Sequence, residues 1–328
     1  MKRTTVVIAA ALALAAAIPA APAHAQNGNL TRSFVSSAGN DSNPCTITEP
    51  CATFAHAYTV IGANGIIAAL DPGKYGPIAI TGPVTINGNG WAAITAPAGG
   101  NGITIDAGSG NVFLNGLEID GAGAAYNGIV FQTGSSLTIT NCTLQNFIRA
   151  GGLDFVDGNG ILMQPTTGAI SFRISNTTLS NNGNNGIDYL PPSGSATANG
   201  IIDHVVATSN LVGIVIDTSG GGGSTTVAIS NTISSNNGTG ITFTNASSAL
   251  EGSIDNSTIS GNTTYGIDAE AASDLEIGRS VITYNGTGIF DNTTPDRVYS
   301  YGDNRINSNN PNIGGSHGST LAQSHALQ

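Results

Sequence analysis

A Gly-Ile pair returns eight times along this chain, at Gly102, Gly128, Gly160, Gly186, Gly213, Gly240, Gly266 and Gly288, at spacings of 26, 32, 26, 27, 27, 26 and 22 residues. Self-similarity at this period identifies an array of stacked units. After each Gly the first and third residues are mostly apolar, as in Ile129 and Phe131 or Ile241 and Phe243. That alternation is a strand with one buried face. A second strand follows in segments such as SLTITNCTL, SFRISNTTL and TVAISNTIS. It carries an Ile column (Ile139, Ile174, Ile202, Ile229, Ile254, Ile277) and, two residues later, a polar column (Asn141, Asn176, His204, Asn231, Asn256, Arg279).

A period near 26 is too long for a hairpin meander, and the Gly-rich and Asn-Gly punctuation leaves no room for crossover helices. What remains is a coil in which each turn stacks its strands on those of the next at about 4.8 Å. The fold predicted is all-β: a single-stranded right-handed parallel β-helix, a three-sheet solenoid of about ten turns, with the Ile columns as internal ladders and the polar column at a bend.

The ends of such a coil need covers. Phe54, Tyr58 and Ile61 fall on one face of a helix, and Pro50 suits its first turn, so a short N-terminal capping helix is predicted over Pro50 to Gly62. Cys45 and Cys51, six apart in an exported segment, are expected to close a disulfide worth roughly 2 kcal/mol. Cys142 then reads as a small buried residue. Residues 1–25 carry Lys2 and Arg3, an apolar run and a small-residue cleavage pattern ending at Ala25, which is a secretory signal. The domain plan is therefore a signal peptide over 1–25, an N-terminal cap over 26–64, the β-helix over 65–310 and a disordered tail over 311–328.

Loss of the signal removes Lys2 and Arg3, leaving seven basic against 20 acidic residues, a net charge of −13. Such a surface argues against nucleic acid as a partner. No later stretch has the roughly 18 to 20 apolar residues needed to span a bilayer. A monomer is expected, secreted, periplasmic or held at the cell surface.

The entry block RSFVSSAGNDSNPCTITEPCATFAHAY, the segment LDPGKYGPIAITGPVTINGNG and the repeats together resemble secreted bacterial right-handed parallel β-helix proteins of the pectin-lyase-like superfamily, over about residues 31 to 310. The resemblance implies a three-sheet coil whose relatives include polysaccharide lyases, hydrolases, esterases and epimerases. Ile202-Asp203-His204-Val205 is similar to the Trp-Ile-Asp-His segment of pectate lyases. In the repeat register, however, Asp203 aligns with Ser175, Ser230 and Asp255, and His204 with the Asn column, which makes the pair part of the scaffold. Leu153-Asp154-Phe155-Val156-Asp157-Gly158 resembles the strand that holds the nucleophile of pectin methylesterases, without that family's partner motifs, and it lies in the longest repeat.

Two functional readings follow. One is an exported β-helix that presents an extended surface to a glycan or another cell-surface component, because the scaffold is complete and no complete catalytic set is visible. The alternative is a polysaccharide-active enzyme, a lyase or glycoside hydrolase, with Asp154, Asp157, Asp188, Arg173 and His204 as its catalytic candidates. The outward positions after the Gly-Ile pairs carry Asp217, Asp268 and Glu270, candidate binding residues; Asp268 and Glu270 lie roughly 7 Å apart on one face. No cofactor motif is present, and calcium is an ion that two such carboxylates could share.

Overall fold

The computed structural model describes residues 30–149, 156–166, 168–192, 197–220, 223–245, 250–271, 273–294, 297–316 and 320–323. The expected signal segment and Asp154 lie outside them. The chain winds into a parallel coil with one short helix. About eight turns are complete, against the ten expected, and partial turns at the ends bring the first sheet to ten strands.

The first face of the coil holds the strands that begin at the Gly-Ile pairs. Its inward column of Ile103, Ile129, Ile161, Ile187, Ile214, Ile241, Ile267 and Ile289 is wholly buried. The second face holds strands such as Ser136–Thr140, Ala169–Ser175 and Thr197–Asp203, and the predicted Ile column stacks in register inside it, buried throughout. Short strands such as Thr143–Gln145, Thr178–Ser180 and Val206–Thr208 form the third face. Two long strands, Val84–Thr95 and Asn111–Asp120, run through the corner between the second and third faces and join them into one twenty-stranded sheet.

The Gly of each Gly-Ile pair is required by the closeness of neighbouring turns. A Cβ on Gly186, Gly213, Gly240 or Gly266 would stand 2.4 to 2.6 Å from the carbonyl oxygen of the equivalent Gly one turn on. Backbone cannot yield there, so any larger residue would pry the turns apart.

The polar column is the bend that its spacing suggested. Asn141, Asn176, His204, Asn231, Asn256 and Arg279 all adopt φ between 47° and 55°, the left-handed conformation in which Asn is least penalised. Its amides bond along the coil, Asn256 Nδ2 to Asn231 Oδ1 at 2.7 Å and Asn231 Nδ2 to Asp203 Oδ1 at 2.8 Å. A second left-handed corner follows the third face at Asn146, Asn181, Ser209, Asn236, Gly261, Tyr284 and Ser308. Immediately after it stands a buried amide ladder that the sequence reading missed: Asn182, Asn210, Asn237, Asn262 and Asn285, ending on half-buried Asn309. From Asn210 onward each Oδ1 accepts from both the backbone N–H and the Nδ2 of the preceding rung, as in Asn237 to Asn262 at 3.0 and 3.2 Å.

The N-terminal cover differs in detail from the expectation. The helix spans Phe54–Val60 and its N-cap is Thr53, whose hydroxyl accepts from His56 N at 3.1 Å. Pro50 stands before the helix, because Asp41 fixes Ala52 and Thr53 and the Cys45–Cys51 disulfide, present as expected, ties off the loop. Coil-type pairing starts ahead of the helix, with Leu30–Val35 parallel to Ile61–Ala69. Phe54, Ala57 and Tyr58 plug the end, and Tyr58 Oη accepts from Thr81 N. At the other end part of the expected disordered tail is strand: Ile313–Gly315 pairs in register with Ile289, Phe290 and Asp291, because Asn309 and Asn312 continue the amide bonding past Asn285. Cys142 is buried, and burial pushes its thiol up to about 11.

Loss of one buried ladder amide leaves several backbone groups without partners. Asn237→Ala should lower stability by about 2 to 4 kcal/mol in urea unfolding, whereas Asn231→Ala, at the half-exposed bend, should cost about 1 kcal/mol.

Candidate functional site

The outward positions of the second face form a valley along the coil between two side-chain columns. One column is Asn111, Ser136, Ser171, Asn199 and Thr226, and the other is Thr85, Phe113, Thr138, Arg173, Ile201 and Ala228. Two recesses share Ser136 and Thr138 and so run together: one of about 260 Å³ from Asn64 to Thr138, and one of about 290 Å³ from Ser136 to Ala228. The groove covers six rungs, roughly 24 Å. Its walls offer hydroxyl and amide groups, and Phe113 and Ile201 are 37% and 42% exposed on its floor and edge. Sequence reasoning missed the groove residues other than Arg173, although they occupy the alternate positions of a strand whose inward column was recognised.

Arg173 stands in this groove, half exposed, with Nη2 3.9 Å from Asp203 Oδ2. Asp203 Oδ1 accepts from Ser230 Oγ at 2.8 Å and Asn231 Nδ2 at 2.8 Å, and lies 3.0 Å from His204 Nδ1. The Asn231 bond first, then those of His204 and Ser230, hold Asp203 down at about 2. The coil therefore brings Arg173, Asp203 and His204 together, with Asp203 in register with Ser175, Ser230 and Asp255 as the repeat alignment implies.

The remaining candidates lie elsewhere. Asp157 is half-buried in the turn before Gly158. Asp188 belongs to the first face, so the coil separates it from Arg173 and His204. Val130, Leu162 and Asp188 form one outward column whose residues are nonetheless buried. Burial, and secondarily the Asp217 charge, lifts Asp188 to about 7 against a 3.0 Å bond from Asn185 Nδ2. Further along the same column, after Val215 and Thr242, comes Asp268, pushed up to about 7 by burial and by Glu270. Asp188 and Asp268 stand three rungs apart, about 14 Å, too far to act as one carboxylate pair.

Calcium takes six to eight oxygen ligands. Asp268 and Glu270 offer two carboxylates, and among the described residues no third acidic side chain joins them. Among the described residues the single close group of three potential ligands is Cys45, Cys51 and His56, in which both sulfurs are already bonded to each other.

A carboxyl lifted in the folded state destabilises the fold as pH rises from its unfolded value near 3.8 to its folded value near 7. Asp188→Asn should remove that loss. The melting temperature of the variant minus that of the native protein should grow across pH 4 to 7, by about 3 °C or more, and stay flat on either side.

The match to known proteins follows the architecture. The family described as the right handed beta helix region matches residues 127–326. Among solved structures, the pectate lyase Pel9A superimposes with a TM-score of 0.66 at 16% identity, over 89% of this chain and 81% of the lyase. A rhamnogalacturonan lyase does so with a TM-score of 0.54 at 14% identity, over 78% of this chain and 73% of the other. Comparison with curated protein sequences gives no match. Likeness at these identities shows the fold, and the family match spans more than half of the chain: it belongs to the right-handed β-helix family.

Proposed function

We propose that this protein acts outside the cytoplasm and binds an extended polysaccharide along the groove of its second face, without cleaving it. The observation that carries the reading is the continuity of that groove over six rungs on a rigid wall. A sugar chain presents hydroxyls at its edges and apolar faces between them. Ser136, Thr138, Ser171, Asn199 and Thr226 supply the polar partners, Phe113 and Ile201 the apolar surface, and Arg173 a charge-assisted donor. Strand-borne side chains lose little freedom on binding, since the coil already fixes them. That polysaccharide lyases share this fold agrees with a glycan partner.

One observation favours a second reading, a lyase or hydrolase: Asp203 gathers a guanidinium on one carboxylate oxygen and an imidazole on the other, Arg173 at 3.9 Å and His204 at 3.0 Å. Position in the scaffold makes the two readings separable, because His204 occupies a column otherwise held mostly by Asn. His204→Asn removes the imidazole and keeps a residue suited to φ near 54°.

The purified protein should be retained on a subset of uronate-containing and neutral polysaccharides, with and without calcium, and release neither unsaturated products nor new reducing ends. Arg173→Ala should weaken retention about tenfold, the size of one hydrogen-bonded charge. Turnover that disappears in His204→Asn at unchanged melting temperature would replace binding with catalysis, and absence of retention on every polysaccharide would remove the groove from consideration.

A further inference from the structure

The third face has been given no role, and its composition is unusual for so acidic a chain. Its first outward column reads Lys74, Ala93, Glu118, Thr143, Thr178, Val206, Ile233, Thr258, Val281, Arg305, each in register with the next. The second reads Asp120, Gln145, Ser180, Thr208, Ser235, Ser260, Thr283, Asn307. Between Glu118 with Asp120 at one end and Arg305 at the other, no position is charged. The side chains between are short and mostly β-branched or hydroxylic, so the face is flat and stiff. Ile233 is 43% exposed at its middle, beside Val206.

The geometry points to a homodimer in which two copies pack third face to third face with their coils antiparallel. The order of charges selects this arrangement. Two parallel coils in register, related by a two-fold along the coil, would exchange the columns and set Glu118 against Asp120 at both sides of one end. Antiparallel coils with full overlap would set Lys74 against Arg305. An antiparallel overlap of eight rungs pairs Glu118 with Arg305 at both ends, Thr143 with Val281, Thr178 with Thr258, and Val206 with Ile233 about the two-fold axis. Lys74 and Ala93 then extend past the partner. A two-fold axis lying along the strands keeps each column over itself, as an isologous interface requires. Opposite charges at the rim and apolar side chains at the centre are the anatomy of a specific contact.

Seven rung steps make the overlap about 34 Å long, and two side-chain columns make it about 12 Å wide. The total area is on the order of 800 Å², below the roughly 1,000 Å² of stable specific interfaces, so the dimer is a weak, transient one that forms by mass action at high local concentration. This inference replaces the monomer expected from the sequence, and it is independent of the groove, which lies on another face.

Sedimentation velocity on the full chain from about 5 to about 500 μM should show the weight-average mass climb towards two protomers. Ile233→Lys places a charge on the two-fold axis twice over and should weaken association more than about tenfold, while Glu118→Arg or Arg305→Glu alone should weaken it about two- to fivefold. The double variant E118R/R305E exchanges the charges and should restore native association. All three positions are exposed, and melting temperatures of the four variants within a few degrees of the native protein verify the fold. A chain that stays monomeric across the range overturns the proposal and leaves the face to a flat partner of another chemistry. So does a dimer indifferent to Ile233→Lys, or a double variant no stronger than the singles.

Discussion

The coil depends on what happens at its corners. A strand can stack on its copy one turn later only if the chain changes direction at the same place in every turn, and two left-handed residues per turn accomplish this. Each costs roughly 1 to 2 kcal/mol in an ordinary residue and less in Asn or Gly. Sharp corners also strand backbone N–H groups inside. The buried Asn ladder resolves both difficulties, because each amide carbonyl takes the orphaned N–H of the preceding rung, and each Nδ2 is itself satisfied by the next. The Ile columns supply the apolar burial, but apolar contact has no register of its own. Amides that must meet at 2.8 to 3.2 Å do.

Much of this could be read from the residues because the coil repeats each requirement. The Gly-Ile period gave the turn length, the alternation gave inside from outside, and the Asn column marked one bend. The internal amide ladder was equally legible and was passed over: Asn182, Asn210, Asn237, Asn262 and Asn285 each follow a member of the bend column by six residues. In an Asn-rich sequence a buried amide looks no different from an exposed one. Burial alone separates Asn237, at 2% exposure, from the exposed Asn236 beside it.

The candidate site was less legible, for a physical reason. Scaffold chemistry is specified by repetition, whereas a site is a departure from it, and a single departure has no second copy to confirm it. Asp188 sits at an outward position and reads as solvated, yet its column is covered, which lifts its carboxyl. Asp203 and His204 read as variants of the Ser/Asn pair, which in register they are, but the outward columns also set Arg173 beside them. A residue can therefore belong to the scaffold through its backbone and to a surface through its side chain. His204 does both, holding a left-handed corner and setting its imidazole against Asp203, the carboxylate that Arg173 also approaches.

This division of labour allows the three faces to evolve apart. Inward positions are constrained on every turn by the same Gly, Ile and Asn requirements, so a change there propagates to the rungs above and below. Outward positions meet only their neighbours along a column. The first face concentrates carboxylates under partial burial, the second forms a hydroxyl-lined groove around Arg173, and the third stays neutral and flat between charged ends. Three different chemistries on one wall show that the repeat dictates spacing and leaves composition free. It is the spacing of about 4.8 Å, held by amides inside, that lets an outside column present the same group again and again to a partner longer than any single turn.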